Sequence, residues 1–553
     1  MAQWLLSAHN TRETFGISYP ITVGFCTEVV ARRQLGDFIV ALAGGTDDLD
    51  LSISAMPPVQ GRLYLNMDYF VRNFGVVLPF DVESFGAPKG LVLCEQRPRL
   101  KTRLLLPFRL WRIYRETVRT YREVVPRYRQ LLEEVYWRLR ACNPDRLTEG
   151  DMHAMDRLFA PTTLDDGSVF QRAYAVVGML NSAISTLVSQ RAPELLNLLV
   201  GHDTSTALLA ERMWELRRVA VKCGAETVKL LRQGETNLDT YRNIPTAAPL
   251  LEAIQHFMRM YGHRAFRYAS EFEAMRLADQ PELVLLTIGG LLEEDEPPSS
   301  RAEDARQMSH QALREMNPIR RSFWRLLLRL GRGLVERREE NRDTLELQNA
   351  AYGLAARLFS RYHFPNQPDD YLWLYTFDEF VTFGRSHGQE RINPEVTEQR
   401  RVELEWHRQQ EAPPELIWHD PETQQWWPVQ EAAKDRTLTA PTRLQGIGAS
   451  AGSGPVEGVA LVTDSAQEAA ERLLEISGPV VLVTHVTDPI WSSLFRRLTA
   501  VVTEMGGAIS HAAIVARENG IPAVVGVPEA THWIGDGQRV RVDGAAGTLE
   551  VID

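Results

Sequence analysis

Lysine is scarce in this chain. Five lysines occur among 553 residues, at Lys89, Lys101, Lys222, Lys229 and Lys434, and arginine supplies the other strongly basic side chains. No G-x-x-x-x-G-K-[ST] sequence surrounds any of them, which excludes a P-loop nucleotide site. A Schiff-base mechanism would have to use one of these five residues.

Cysteines and long apolar runs are also few. Cys26, Cys94, Cys142 and Cys223 lie far apart without the spacing of metal ligands, so we expect reduced thiols and no metal site. The first ten residues lack the basic and apolar regions of a signal peptide. The most apolar helical stretch, residues 173–188, contains polar residues and is too short to span a bilayer. We therefore expect a cytoplasmic protein with no membrane partner.

An excess of positive charge is absent as well. The chain has 61 Lys plus Arg against 72 Asp plus Glu, for a net charge of -11. Without a basic stripe, nucleic acid is not an expected partner. The apolar fraction of 44% and the charged fraction of 24% are typical of folded soluble proteins. Small molecules are the expected partners.

The chain divides into four predicted regions. Residues 1–105 mix short apolar runs with turn signals, and residues 106–400 carry the three- and four-residue apolar spacing of helices, which predicts helices over 110–141, 169–199, 206–231 and 322–359. Residues 401–440 are polar and rich in proline, which favours a connector. Residues 441–553 alternate short buried strands with helices. The predicted fold class is multidomain α+β, a large, mainly α-helical domain followed by a compact α/β domain.

Two charge-dense segments are predicted to face solvent. The run Glu336–Arg342 is typical of an ion-paired helix surface. The segment 293–300, Glu-Glu-Asp-Glu-Pro-Pro-Ser-Ser, follows an apolar helix and favours an exposed acidic loop.

The strongest local motif lies between Thr503 and Gly526. A buried strand is expected to end at Thr503, and the adjacent glycines Gly506 and Gly507 favour a turn. Ser510 is a suitable N-cap for a helix that ends near Gly520. His511 would then lie in the first helical turn.

A histidine in that position can carry a phosphoryl group. The first helical turn has unpaired backbone N–H groups and the positive end of the helix dipole, and the glycines Gly506 and Gly507 allow close approach of phosphate. The dipole favours neutral imidazole as the nucleophile, and Arg517 could neutralise phosphate oxygens. The predicted phosphate-binding residues are Gly506, Gly507, Ser510 and Arg517. On spacing alone, a histidine packed under a turn explains His511 equally well.

This motif resembles the phosphohistidine swivelling domain of the phosphoenolpyruvate-utilising enzymes, which include phosphoenolpyruvate synthase and rifampicin phosphotransferase. The resemblance covers residues 441–553, from the glycine-rich segment Gly446–Gly458 to Gly537–Gly544. It implies a β/β/α swivelling domain in which His511 is the phosphorylated histidine. We do not expect the glycine-rich segment to bind a nucleotide.

The remainder of the chain resembles the acceptor-substrate domain of rifampicin-phosphotransferase-like proteins, through short matches in a common order. One of them is Tyr261-Gly-His263-Arg264. If this resemblance holds, Arg264 could clamp phosphate, and His263 could take the proton of the acceptor hydroxyl. A structural histidine at a helix end is an equal alternative for His263.

The resemblance also concerns the phosphoryl donor. The family's ATP-grasp domain and its pyruvate-binding barrel have no counterpart in this sequence, so ATP and Mg²⁺ are expected on a separate ATP-grasp protein. We expect a phosphotransferase component that acts on a small-molecule acceptor. Two alternatives remain open: an ATP-driven condensing or dehydrating enzyme, and a non-catalytic regulatory module with the same fold.

Overall fold

The residues described by the computed structural model are 4–8, 17–43, 45–46, 49–74, 100–199, 205–265, 271–292, 299–414, 416–429, 443–452, 454–487, 491, 494–506 and 510–552. Three predicted features lie wholly or largely outside them: Gly507, the acidic loop at 293–300, of which only residues 299 and 300 are described, and the boundary between residues 440 and 441.

Helices dominate the residues between 100 and 409. In chain order the α-helices are α1 Pro20–Gly24, α2 Gly36–Ala43, α3 Met67–Phe74, α4 Leu100–Glu123, α5 Val125–Arg140, α6 Glu149–Phe159, α7 Pro161–Arg191, α8 Ser205–Lys222, α9 Ala225–Arg232, α10 Leu238–Arg242, α11 Ala248–Tyr261, α12 Glu282–Leu291, α13 Ser299–Glu315, α14 Pro318–His363, α15 Phe377–Arg385, α16 Pro394–Gln409, α17 Ala466–Glu475, α18 His511–Glu518 and α19 Ala530–Trp533. A π-helix spans Phe25–Leu35.

Most strands belong to the carboxyl-terminal part of the chain. They are β1 Trp4–Ser7, β2 Pro58–Val59, β3 Arg62–Leu63, β4 Leu65–Asn66, β5 Leu416–His419, β6 Trp426–Pro428, β7 Arg443–Gln445, β8 Ile447–Ala451, β9 Val456–Val462, β10 Val480–Thr484, β11 Ala500–Thr503, β12 Pro522–Val525, β13 Arg539–Asp543 and β14 Thr548–Val551. The multidomain α+β class predicted from the sequence is confirmed.

The chain forms two compact units, each built from three stretches of sequence. Unit 1 consists of Met1–Val176, Ser270–Ala274 and Thr344–Arg436, and unit 2 of Val177–Ala269, Met275–Asp343 and Thr437–Asp553. The predicted boundaries at 105, 400 and 440 stay predictions. The 401–440 range, taken as a connector from its composition, contains the end of α16 and the strands β5 and β6.

Local sequence explains why two predicted long helices are each interrupted. The predicted helix 110–141 ends at Glu123 and resumes at Val125, because Pro126 has no N–H to continue the hydrogen-bond ladder. The predicted helix 206–231 breaks at Gly224, whose φ of 103° is accessible mainly to glycine. The separation into α8 and α9 follows from that residue.

Unit 1 combines an aromatic helical core with a small antiparallel sheet. The sheet has the order β4-β1-β5-β6, and Trp4 of β1 pairs with His419 of β5. In the core, Phe159 meets Phe380 edge-on with ring centres 5.1 Å apart. Such edge-to-face packing adds to the burial of large apolar side chains.

The carboxyl-terminal part of unit 2 contains an eight-stranded sheet in the order β7-β14-β13-β9-β10-β11-β12-β8. Strands β9 to β12 are mutually parallel, with Val481 opposite Ala500, and the outer strands are antiparallel. All five residues of β10 are buried, as expected for a parallel strand covered on both faces. Helices α17 and α18 pack on one face and α19 on the other.

The prediction of a solvent-facing helix surface at Glu336–Arg342 is wrong. This run lies in α14, where Glu339 and Asn341 are buried and only Glu340 is exposed. The buried polar stretch continues to Asn349. The spacing of apolar residues in the sequence could not predict this burial, because other segments of the chain cover the polar face of α14 as well as its apolar face.

Among the described residues, none of the helices combines the length and the apolar character that crossing a membrane requires.

Candidate functional site

A tight turn follows strand β11 at the centre of the carboxyl-terminal sheet. Thr503 ends the strand, and its hydroxyl donates a hydrogen bond of 2.6 Å to the carbonyl oxygen of Met505. Gly506 has a φ of 111°, which an L-residue rarely adopts. A Cβ built on Gly526 would lie 3.1 Å from the Gly506 carbonyl oxygen, so a second glycine permits this close approach. The predicted glycine turn is confirmed at Gly506.

Helix α18 begins where the sequence predicts. The side chain of Ser510 accepts a hydrogen bond of 3.3 Å from the backbone N–H of Ala513, which makes Ser510 the N-cap. His511 is the first helical residue. The helix ends at Glu518, and Gly520 follows with a φ of 64°. Both the predicted cap and the predicted first-turn position of His511 are confirmed.

This position determines the chemistry available to His511. The first N–H groups of a helix have no acceptor within it, and the helix dipole places partial positive charge there. Such a field disfavours a positively charged group at a helix start. The same field stabilises an anion formed at the helix start. An imidazole here is suited to accepting a phosphoryl group and holding it.

Arg517 lies in the last turn of α18, six residues after His511. Six residues of α-helix span about 9 Å along the axis. The Arg517 side chain is 3% exposed, and its Nε donates a hydrogen bond of 2.7 Å to the carbonyl oxygen of Ala449 in β8. Arg517 therefore ties the helix to strand β8, and its phosphate-binding role, like those of Gly506, Gly507 and Ser510, stays a prediction.

Two further ionisable residues lie at the carboxyl ends of neighbouring parallel strands. His485 follows β10, Glu504 follows β11, and His485 Nδ1 is 2.7 Å from Glu504 Oε2. Thr531 donates to the other carboxylate oxygen from its backbone N–H at 2.7 Å and from its hydroxyl at 2.5 Å. Burial alone would raise the pKa of Glu504, but the hydrogen bonds from His485 and Thr531 outweigh it and lower that pKa.

Glu504 and His485 were not predicted as site residues, although a signal was present in the sequence. Each residue directly follows a run of buried apolar residues that forms a parallel strand. Ligands of open α/β sheets bind outside the carboxyl ends of such strands. Polar residues at those two positions are therefore candidates for the site on the strand pattern alone.

The other two predicted site residues meet at one carboxylate in unit 2. His263 and Arg264 follow helix α11, and both are buried. His263 Nε2 lies 3.0 Å and Arg264 Nε 3.1 Å from Oδ1 of Asp343 in helix α14. The structure thus brings the predicted pair together and adds Asp343, which was not predicted because it directly follows a run expected on the surface.

Comparison with known families agrees with this geometry. Residues 476–547 match the model of the mobile domain of PEP-utilising enzymes, a segment that contains His511, His485 and Glu504. The carboxyl-terminal part of the chain is thus similar to the mobile domain of the phosphoenolpyruvate-utilising enzymes. Residues 170–339 match the fourth domain of rifampicin phosphotransferase, and His263 and Arg264 lie within that match.

Similar curated proteins carry names from the same family. The chain is 46% identical over 106 residues to rifampicin phosphotransferase of Streptomyces sviceus, covering 19% of this chain and 12% of that protein. It is 34% identical over 186 residues to the Bacillus subtilis rifampicin phosphotransferase, covering 34% and 19%. It is 40% identical over 143 residues to phosphoenolpyruvate synthase of Aeropyrum pernix, covering 25% and 16%. The matched stretches are thus less than a fifth of these relatives.

Within the part of the chain that the structure describes, no three histidine, cysteine, aspartate or glutamate side chains meet in a ligand cluster.

Proposed function

We propose that this protein is a phosphotransferase component that receives a phosphoryl group from ATP on His511 and passes it to a small-molecule acceptor. One observation carries the proposal: His511 is the first residue of a capped helix within a segment that matches the PEP-utilising mobile domain. Curated proteins similar to part of this chain are named rifampicin phosphotransferase and phosphoenolpyruvate synthase.

The chemistry divides into two transfers. In the first, a neutral imidazole nitrogen of His511 attacks phosphorus, a new N–P bond forms and the P–O bond to the nucleotide breaks. In the second, the acceptor oxygen attacks the same phosphorus and the N–P bond breaks. Both transfers require alignment and charge neutralisation more than covalent chemistry from other residues. The start of helix α18 supplies the positive field for the phosphorylated state.

The second transfer needs a group that takes the proton of an acceptor hydroxyl. In this proposal His263 has that role, because its Nε2 faces the carboxylate of Asp343 at 3.0 Å. Hydrogen bonding to that carboxylate holds the proton on Nε2 and leaves Nδ1 able to accept one. Arg264, bound to the same carboxylate oxygen, would contribute positive charge beside it.

The donor nucleotide belongs to another protein in this proposal. Neither matched model describes a nucleotide-binding domain. ATP and Mg²⁺ would be bound by a separate ATP-grasp protein, and the swivelling domain, residues 441–553, would carry the phosphoryl group between sites. Of the two alternatives, condensing enzyme and non-catalytic module, neither is favoured by the names of the relatives.

The test measures phosphorylation of His511 with two donors. Phosphoramidate, a small phosphoryl donor that needs no partner, should label wild-type protein at His511 faster than at the other histidines, as mapped by mass spectrometry. Labelled ATP with Mg²⁺ should label His511 only when an ATP-grasp protein is added. The phosphate should be acid-labile and base-stable.

His511→Ala should abolish both signals, and His532→Ala, which alters an exposed histidine of the same domain, should leave them unchanged. Equal labelling of wild type and His511→Ala would overturn the proposal. If ATP labelled His511 without any added protein, only the part of the proposal that places ATP on a second protein would be overturned.

A further inference from the structure

The first turns of helix α14 carry an apolar stripe that faces solvent. Ile319, Phe323, Leu326 and Leu330 are 85%, 54%, 61% and 48% exposed. Because an α-helix turns about 100° per residue, these four side chains lie within about 60° of one another around the helix axis. Single apolar residues on a surface are ordinary, whereas contiguous exposed ones mark sites of association.

The opposite face of this part of α14 is fixed in the core of unit 2. Trp324 and Leu328 are buried in a cluster that also contains Leu313. A Cβ on Gly331 would lie 2.6 Å from Cδ2 of Leu199, so the helix packs closely at this point. Rotation of α14 could not bury the stripe without exposing this cluster. The stripe is therefore presented on a rigid helix.

The spacing within the stripe is that of a coiled-coil seam. Positions 319, 323, 326 and 330 are separated by four, three and four residues, which is the spacing of alternating d and a positions in a heptad repeat. Side chains at this spacing insert into holes between the side chains of a second helix. The complementary surface is thus another amphipathic helix.

Arginines lie on both sides of the stripe. With Phe323 at an a position, Arg320 occupies an e position and Arg329 a g position, and both side chains are exposed. The helix positions three and four residues away from each of them hold no carboxylate. From residue 318 to residue 332 the sequence has five arginines and no aspartate or glutamate. Positions e and g form ion pairs between helices, so a partner helix should carry carboxylates there.

Two other occupants match these charges less well. A second copy of this chain would bring arginines close to arginines along the seam, and like charges across an interface repel. A membrane with anionic lipids would attract the arginines, but the net charge of the chain is -11, and such a surface would repel the protein as a whole. An acidic partner helix meets neither objection.

We propose that residues 319–330 of α14 are a docking surface for an acidic amphipathic helix of another protein. Apolar side chains of the partner would pack on Phe323 and Leu326, and its carboxylates would pair with Arg320 and Arg329. The proposal concerns binding alone and does not depend on phosphorylation of His511.

The experiment compares two synthetic four-heptad peptides of opposite charge on the full chain. Both have leucine at every a and d position, and one has glutamate and the other lysine at every e and g position. Fluorescence anisotropy near neutral pH should show saturable binding of the acidic peptide, with affinity at least about 10-fold above that of the basic peptide. Absence of binding by the acidic peptide up to high micromolar concentration, or equal affinities, would overturn the proposal.

A substitution within the stripe locates the bound peptide. Phe323→Ala should weaken binding of the acidic peptide at least about 10-fold, because central aromatic contacts dominate interfaces of this kind. Phe108→Ala is the matched control, since Phe108 is 62% exposed and lies in α4 of unit 1. Circular dichroism melting checks that both variants are folded. Affinity of Phe323→Ala equal to that of wild type would overturn the proposal.

A charge reversal tests the arginines. Arg329→Glu should reduce the preference for the acidic over the basic peptide at least about 5-fold. Arg325→Glu makes the same charge change one turn away, at an exposed position farther round the helix from the stripe, and should have a smaller effect because salt screens distant charges. Equal effects of the two substitutions would indicate a response to net charge alone and would overturn the proposal.

Two control measurements address the other occupants. If light scattering showed a dimer in wild type that Phe323→Ala abolished, the stripe would belong to a second copy of this chain. If wild type bound phosphatidylserine-containing vesicles and Phe323→Ala did not, the stripe would belong to a membrane. Either result would overturn the proposal, and we expect neither.

Discussion

The guanidinium carbon of Arg496 lies 5.9 Å from the ring centre of Trp214, and that of Arg217 lies 4.4 Å from the same ring. Trp214 belongs to helix α8, and Arg496 belongs to the carboxyl-terminal sheet domain. The side chains of Trp214 and Arg496 are both buried. Contacts from two arginines to one buried tryptophan ring thus contribute to packing within unit 2, with about 0.5 to 2 kcal/mol expected for each cation–π contact.

Trp214→Ala should destabilise this packing. Removing a buried tryptophan costs about 3 to 5 kcal/mol and leaves Arg496 without its aromatic contact. Hydrogen–deuterium exchange should speed up in the turn Phe495–Arg497 and in α8. Trp111→Ala is the control, because Trp111 is 53% exposed and its loss should change stability by no more than about 0.5 kcal/mol. Unchanged exchange in Trp214→Ala would show that the contact does not hold the turn.

Ser510→Ala should loosen the start of helix α18. Loss of the N-cap hydrogen bond to Ala513 costs about 1 kcal/mol. Because His511 is the next residue, its labelling by phosphoramidate should slow in this variant. Ser510→Thr keeps a capping oxygen and should retain most of the rate. A rate in Ser510→Thr as low as in Ser510→Ala would indicate that the hydroxyl acts by another route.

Glu504 should make the stability of the carboxyl-terminal domain depend on pH. Its pKa is lower in the folded chain than the ordinary glutamate value of 4.5. A lowered pKa contributes stability above pH 4.5, and this contribution is lost as the pH falls through the folded-state pKa. Wild type should therefore exceed Glu504→Gln in urea resistance near neutral pH, and the difference should shrink on acidification.

The matched control for this experiment is Glu457→Gln. Glu457 pairs with Arg539 at 3.5 Å, and its side chain is 50% exposed. This variant should show little change near neutral pH. If the difference between wild type and Glu504→Gln grew on acidification, the pKa of Glu504 would be raised by folding rather than lowered, contrary to the prediction.

Two glycines of helix α14 should respond in opposite ways to alanine. A Cβ on Gly353 would lie 2.0 Å from the carbonyl oxygen of Phe272, a backbone atom that cannot move aside cheaply. A Cβ on Gly333 would meet only the flexible end of Arg337, at 3.1 Å. Gly353→Ala should strongly destabilise unit 1, whereas Gly333→Ala should stabilise the helix by up to about 1 kcal/mol. Thermal melting of both variants checks this.

Local signals made much of the carboxyl-terminal domain predictable. Strands β10, β11 and β12 follow from short buried apolar runs, and the start of α18 follows from Ser510 and His511 after a glycine turn. These features depend on residues that are close in sequence. Local sequence also predicted that α14 is helical. It did not predict that the polar face of this helix is buried.

Contacts between distant residues were not predictable in this way. The pair His485 and Glu504 depends on the parallel pairing of β10 with β11. The shared bonding of His263 and Arg264 to Asp343 joins residues about 80 positions apart. The strand pattern marks His485 and Glu504 as residues at strand ends, but it does not give the register that brings their side chains together, because many registers satisfy the same apolar pattern.

The pairing of Trp4 with His419 has a consequence for biosynthesis. At about 5 to 20 residues per second, a ribosome needs roughly 20 to 80 seconds to make the chain between these two residues. During that time β1 can pair with β4, but its other edge has no strand to cover it. An open strand edge invites pairing with other chains. The nascent protein should therefore depend on chaperones until β5 emerges, and truncations before residue 416 should aggregate.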